Sequence, residues 1–286
     1  MTPIDLLWLF FLLASLQPAV TQRLLTLQRA RAMRAMERRD RSRVITMIHR
    51  RESFSFLGIP FGGFIDIEDS EAVIRAIETT NQAVPIDFVI HTPGGLVLAA
   101  EQIAAALARH PAPVRVYVPH YAMSGGTLLA LAADRIVMSP SAVLGPVDPQ
   151  IGEFPAASLL CVVDKKDINK VDDRTLVLAD VGHKAQKQIQ DFVEKLLARH
   201  QSEERAREVA NALTEGRWTH DFPIDLAQAR SLGLPVSDDL PDEVRELLGL
   251  YPQPRGRRPS VEYLPTPYEP PQRPSLPTRR SERRAG

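Results

Sequence analysis

The chain has 286 residues, room for one good-sized domain with appendages but not for two large ones. Its 35 basic and 35 acidic side chains cancel, so no global charge points to nucleic acid, and none is expected as a partner. The single cysteine, Cys161, excludes an internal disulfide and fits a reducing compartment; beside Val162 and Val163 it reads as a small core residue.

The first element in chain order is an apolar run at residues 6–20, extendable by Ile4 in front and by Leu24, Leu25 and Leu27 behind. It is short for a spanning helix, which needs about 20 residues. No lysine or arginine precedes it, so the basic start of a cleaved signal peptide is missing. Arginines follow from Arg23 to Arg43, and by the positive-inside tendency they hold the C-terminal side in the cytoplasm. The expectation is a transmembrane anchor over residues 4–22, single-pass, with the domain that follows cytoplasmic. Residues 23–42 read as a basic linker helix, either lying on anionic headgroups or simply solvated.

A domain over residues 43–250 follows. It opens with a strand at 44–48 and a loop or hairpin at 54–64. A helix at 66–79 has Ser70 in a capping position ahead of Val73, Ile74 and Ile77. Two units of one plan come next. Strands at 86–90 and 114–118 each lead into a turn with a glycine pair, Gly94-Gly95 and Gly125-Gly126, and then into a helix of small residues. Short strands at 135–138 and 142–144 and a strand at 159–163 complete the first part. A long helix carries Ile189, Phe192, Val193, Leu196 and Leu197 on one apolar face, and helices at 203–214 and 226–232 follow. The alternation of strand and helix predicts an α/β core. Residues 251–286, rich in proline and arginine, cannot bury a core and are expected to be disordered.

Parallel strands that deliver glycine turns at their C-terminal ends are a place to build a site. Ser124 stands at the mouth of the second helix beside free backbone donors, the arrangement that acyl transfer to serine needs. Taken singly, Pro-Gly-Gly is a turn and Ser-Gly-Gly an N-cap with a flexible loop. The pair at the ends of consecutive strands is more informative. His91 and His120, on the strand sides of their turns, read as structural.

The stretches H-T-P-G-G at 91–95, V-P-H-Y-A-M-S-G-G-T at 118–127 and A-V-L-G-P-V-D-P-Q at 142–150 resemble the serine dehydrogenase proteinase family. That family is a branch of the peptidases with the Clp protease and crotonase fold, related to signal peptide peptidase A. The resemblance spans residues 44–236 and implies an α/β spiral of ββα units. It also implies Ser124 as nucleophile and the N–H groups of Gly95 and Gly125 as the oxyanion hole, with Gly94 as backup for Gly95. The segment matching the histidine region of the Clp subunit holds Asp148 and no histidine, which argues against a triad laid out in that manner. A serine–lysine dyad, as in the signal peptide peptidase branch, points to Lys184 among the six lysines, which all fall within 165–195. A buried lysine between Gly182 and Ala185 would have its pKa lowered toward the working pH. Lys166, Lys187 and His183 are the alternates, and Lys184 lies off the apolar stripe of its helix.

The resulting expectation is a membrane-anchored serine peptidase acting on peptides or proteins, self-assembling into homo-oligomers as its relatives do, with no metal and no cofactor. Two other readings compete with it. One is a crotonase-like enzyme acting on thioesters through the same paired N–H groups without the serine. The other is a catalytically silent scaffold at the membrane.

Overall fold

The computed structural model describes residues 3–49, 54–56, 59–61 and 63–251, with side chains described at 17, 19–49 and 63–251. Helix α1 (Pro3–Asp40) leads into β1 (Arg43–Ile48) and a hairpin of β2 (Phe54–Phe56) and β3 (Ile59–Phe61). Then come α2 (Ile67–Glu78), β4 (Ile86–His91), α3 (Val97–Arg109), β5 (Val114–Val118), β6 (Tyr121–Ala122) and α4 (Gly125–Leu131). Next are β7 (Arg135–Met138), β8 (Val143–Leu144), a small hairpin of β9 (Gln150–Ile151) and β10 (Phe154–Pro155), and α5 (Ala156–Lys165). The long α6 (Asp173–Leu197), α7 (Glu203–Thr214), α8 (Leu226–Ser231), β11 (Val236–Ser237) and α9 (Asp242–Gly249) close the order.

Strands β1, β4, β5, β7 and β11 form one parallel sheet in chain order. Parallel sheets are covered on both faces, and alternate side chains feed two cores. Ile86, Phe88 and Ile90 of β4, Val116 and Val118 of β5, and Ile136 and Met138 of β7 enter the larger core beneath α2, α3, α4, α6 and α7. Val89, Tyr117 and Val137 face the other way, onto Met36 of α1 and Val244 and Leu247 of α9. At the N-terminal edge of the sheet the buried Asp87 carboxylate binds Arg115 directly across the register at 2.6 and 2.8 Å and accepts a short hydrogen bond from the Ser42 hydroxyl.

A second layer links successive turns of the chain beyond the strand ends. Its rungs are Ile65–Gly95, Thr92–Ala122, the parallel pair β6–β8, and Leu144–Ile224. Each repeat therefore gives one strand to the main sheet and one short segment to this layer, the spiral plan implied by the resemblance.

Several local expectations are corrected. The cap of α2 is Asp66, paired with Asp69 in a capping box, while the buried Ser70 hydroxyl donates to Gln102 Oε1 at 2.9 Å and ties α2 to α3. Residues 159–163 lie inside α5 rather than in a strand; a short apolar run fits a strand or a helix segment equally well. Cys161 is exposed on that helix instead of buried. The expected anchor and linker are one continuous helix, and its last turns are packed, with Ala32, Met33 and Met36 against the sheet. Arg29 donates to the Leu250 carbonyl at 2.9 Å and lies 4.0 Å from the centre of the Tyr251 ring. Tyr251 thus belongs to the body of the domain, as its hydroxyl bond to Thr46 also shows. Among the described residues no helix is long and apolar enough to cross a membrane; most of the apolar run at 6–20 lies outside the described side chains, as does the tail from 252 onward.

Candidate active site

The glycine turns meet because the second layer forces them together. The Ile65–Gly95 rung sets the two backbones so close that a Cβ on Gly95 would fall 2.2 Å from the Ile65 carbonyl oxygen. Gly94, at φ +106, would drive a Cβ to 2.8 Å from that of Ser124. Only glycine tolerates both the positive φ and the approach. The Gly95 nitrogen in turn lies 3.5 Å from the position a Gly125 Cβ would take. Neither Gly95 N–H nor Gly125 N–H has a protein acceptor among the described residues, as expected for a first helical turn and an exposed loop.

Ser124 sits at the N-cap of α4 with φ 49 and ψ −115. A non-glycine residue held at positive φ costs about 1–3 kcal/mol, and such strain gathers at functional turns from strand to helix. The Ser124 side chain makes no capping bond, so the N-cap alternative does not account for the hydroxyl. The backbone is instead anchored by Met123 N–H donating to the Thr92 carbonyl at 3.0 Å.

Ser124, Gly125 and Gly95 line one cleft of about 290 Å³. Its apolar wall includes Leu96, Val97, Leu128, Val147 and Ile189; its polar side holds Asp148, Gln150 and His220. Asp148 is placed by the loop after β8. There Thr127 Oγ1 accepts from Gly145 N–H at 3.0 Å, and Val147 N–H donates to the Leu213 carbonyl at 2.8 Å. His220 arrives from the loop after α7, which the two hydrogen bonds between Leu144 and Ile224, each 2.9 Å, fold back onto the second layer. Trp218 and Phe222 stack on either side of it in sequence, with ring centres 5.2 Å apart.

His220 Nδ1 and Asp148 Oδ1 are 2.8 Å apart, and the Asp148 side chain is 1% exposed. The carboxylate only accepts, so Nδ1 carries the hydrogen and Nε2 is left to receive a proton. Gln150 Nε2 donates to Asp148 Oδ2 at 2.7 Å. The His220–Asp148 hydrogen bond raises the His220 pKa above 6.5, outweighing the partial burial that pulls the other way.

The expected lysine is elsewhere. Lys184 is absent from the cleft lining, its side chain is 67% exposed, and its ammonium pairs with Asp180 one turn back at 2.5 Å. The burial expected of it is missing. Lys187 pairs with Asp191 in the same way, and Lys166 and His183 are also exposed. His91, fully buried, packs on the rings of His120 and Tyr121, in keeping with a structural role. The residues that sequence reasoning missed are His220 and the use of Asp148. The signal for His220 is W-T-H-D-F-P at 218–223, a histidine in a short loop between helices. Among the described residues no group of three or more His, Cys, Asp or Glu side chains could hold a metal ion.

A serine on a strained turn, beside two N–H groups with no protein acceptor among the described residues, lies in one cleft of a parallel α/β spiral, the arrangement that acyl transfer to serine needs. The chain belongs to the ClpP-like SDH-type serine proteinase family, whose model matches residues 1–275. It is 53% identical over 260 residues to the uncharacterized protein MJ0137 of Methanocaldococcus jannaschii, covering 91% of each chain. It is 51% identical over 269 residues to MJ1495 of the same organism, covering 94% of this chain and 92% of that one. A 68-residue stretch, 24% of this chain and 16% of the other, is 43% identical to membrane protein NfeD1b of Bacillus subtilis. Among solved structures, two variants of the 1510-N membrane-bound stomatin-specific protease are similar. One aligns at TM-score 0.46 and 18% identity over 71% of this chain and 82% of that chain. The other, in complex with a substrate peptide, aligns at 0.44 and 20% over 71% and 77%.

Proposed function

We propose that the chain hydrolyses peptide bonds through an acyl-enzyme on Ser124. The Gly95 and Gly125 N–H groups bind the oxyanion, and His220, oriented by Asp148, is the general base. The observation that carries this reading is the strained Ser124, its hydroxyl unused by the helix cap, in one cleft with both donors and the His220–Asp148 pair. In the first step His220 Nε2 takes the Ser124 proton as Oγ attacks the peptide carbonyl. The C–N bond then breaks as the imidazolium returns that proton to the leaving amine. Water repeats the sequence to release the acid. Lys184, drawn from the family branch, is the alternative base.

Variants separate the two bases. Ser124→Ala abolishes peptide hydrolysis. His220→Ala lowers kcat by about 100-fold or more, the range of a lost general base, while Lys184→Arg stays active. An inactive Lys184→Arg beside an active His220→Ala transfers the role to Lys184; an active Ser124→Ala ends the peptidase reading and favours crotonase-type chemistry at the same N–H pair.

Attachment to a membrane belongs to the proposal, supported by the apolar run at 6–20 and the arginines behind it. Full-length protein is expected to stay with membranes through an alkaline carbonate wash; release by that wash contradicts a spanning anchor.

A further inference from the structure

The oxyanion loop is held from behind by side chains that do not line the cleft. His49, at the end of β1, has Nε2 3.0 Å from Asp69 Oδ2 and Nδ1 2.8 Å from Thr92 Oγ1. Thr92 Oγ1 accepts from the Gly94 N–H at 3.2 Å and stands 3.4 Å from the Gly94 carbonyl oxygen. Chemistry fixes the direction of this chain. The Asp69 carboxylate, which also takes the Asp66 N–H at 3.1 Å, only accepts, so the imidazole hydrogen sits on Nε2. Nδ1 is then bare and takes the Thr92 hydroxyl hydrogen, leaving the Thr92 lone pairs for Gly94.

The far side of the same loop is gripped by Ile65, whose N–H donates to the Gly94 carbonyl at 2.7 Å. In a planar trans peptide the Gly94 C=O and the Gly95 N–H point opposite ways. Fixing the first therefore aims the second. Gly94 at φ +106 has no Cβ to stiffen it, so its orientation comes from these partners. Thr92 is fully buried and the His49 side chain is 12% exposed. A buried polar chain is costly unless each member is satisfied, and this one ends on the loop that carries an oxyanion donor.

We infer that Asp69, His49 and Thr92 form a positioning relay for the oxyanion hole, holding Gly94 so that the Gly95 N–H stays aimed into the cleft. The inference rests on the reading of Ser124 as nucleophile and Gly95 as donor. Asp69 anchors the relay to the first turn of α2, so the N-terminus of that helix, the end of β1 and the catalytic loop are mechanically joined.

Two substitutions at Thr92 distinguish the relay from packing. Thr92→Val keeps the shape and removes the hydroxyl. Thr92→Ser keeps the hydroxyl and removes the methyl, which lies 2.6 Å from where a Gly126 Cβ would be. The relay predicts that Thr92→Val lowers kcat by about 10- to 100-fold, short of the roughly 100- to 1,000-fold that follows loss of a donor outright. KM stays within about twofold, since only transition-state binding is weakened. Thr92→Ser restores the wild-type kcat, and His49→Ala adds little to Thr92→Val. The reverse order, an active valine variant and a damaged serine variant, overturns the relay. A readout independent of activity is the ¹⁵N spectrum of His49, assigned by its loss in His49→Ala: the Nε2–H tautomer supports the relay and the Nδ1–H tautomer overturns it. Wild-type protein with no Ser124-dependent hydrolysis sinks the peptidase reading and the relay's catalytic purpose with it. Wild-type activity that Thr92→Val leaves intact sinks the relay alone.

Discussion

At the scale of single residues, the pH dependence of the site follows from Asp148. Its bond to His220 favours the imidazolium, so the neutral base dominates only above the ordinary histidine value of 6.5. Activity is therefore expected to rise with pH through one ionisation above 6.5, and Asp148→Asn should shift that limb toward lower pH while reducing kcat. Stability carries the opposite sign. A raised folded pKa contributes stability that is fully present below the unfolded value and disappears as pH rises through the folded one. A pH–rate profile whose limb is unchanged in Asp148→Asn, yet lost in Lys184→Arg, contradicts this assignment. Ser124 and both glycines were legible because strand, glycine turn and small-residue helix are local patterns. His220 was not, since its partner Asp148 is far away in sequence and the Leu144–Ile224 rung that helps bring their loops together is a tertiary contact. The small neighbours of Lys184 leave room to bury it, and Gly182 does pack, but the lysine, off the apolar stripe, leaves on the outer side of α6.

Among elements, α5 and α6 leave several large apolar side chains uncovered, as α1 and α3 also do at Leu24, Leu27, Val97 and Leu98. Val162 of α5 is 41% exposed, and Val177 and Val181 of α6 are 62% and 44% exposed. Ile168, in the 3-10 turn between the two helices, is exposed as well, and so is Cys161 on α5. Apolar side chains gathered on paired helices mark an interaction surface, and we propose that it meets further copies of the chain. Val177→Asp with Val181→Asp is expected to lower the sedimenting mass without loss of the folded CD spectrum; wild-type protein sedimenting as a monomer at every concentration contradicts the proposal. The strands of the main sheet were legible as apolar runs because both faces are buried. The α5 segment misled for the same reason in reverse: an apolar run that is half exposed has no period to identify it. The role of α1 was hidden too. Its arginine-rich half suggests a helix on anionic headgroups or a solvated linker, whereas sparse apolar residues, Met33 and Met36 among them, suffice to seat it on the sheet.

For the whole molecule, one spiral explains both why the site exists and where it sits. Each turn of the chain adds a parallel strand, and each turn's exit segment adds a rung to the second layer. The Gly94–Gly95 loop, the Ser124 turn and the loop of Asp148 are successive exits on that layer, and the His220 loop joins it through Ile224. Repetition made the architecture readable from two motifs, while the closing turn, with β11 and α9, was unmarked by either. The most direct test of the central claim is the mass of the full-length chain after treatment with a fluorophosphonate, followed by mapping of the adduct. The account predicts one adduct per chain, on Ser124, absent from Ser124→Ala and formed much more slowly in His220→Ala. An adduct on another residue, or equal labelling of Ser124→Ala, would contradict it.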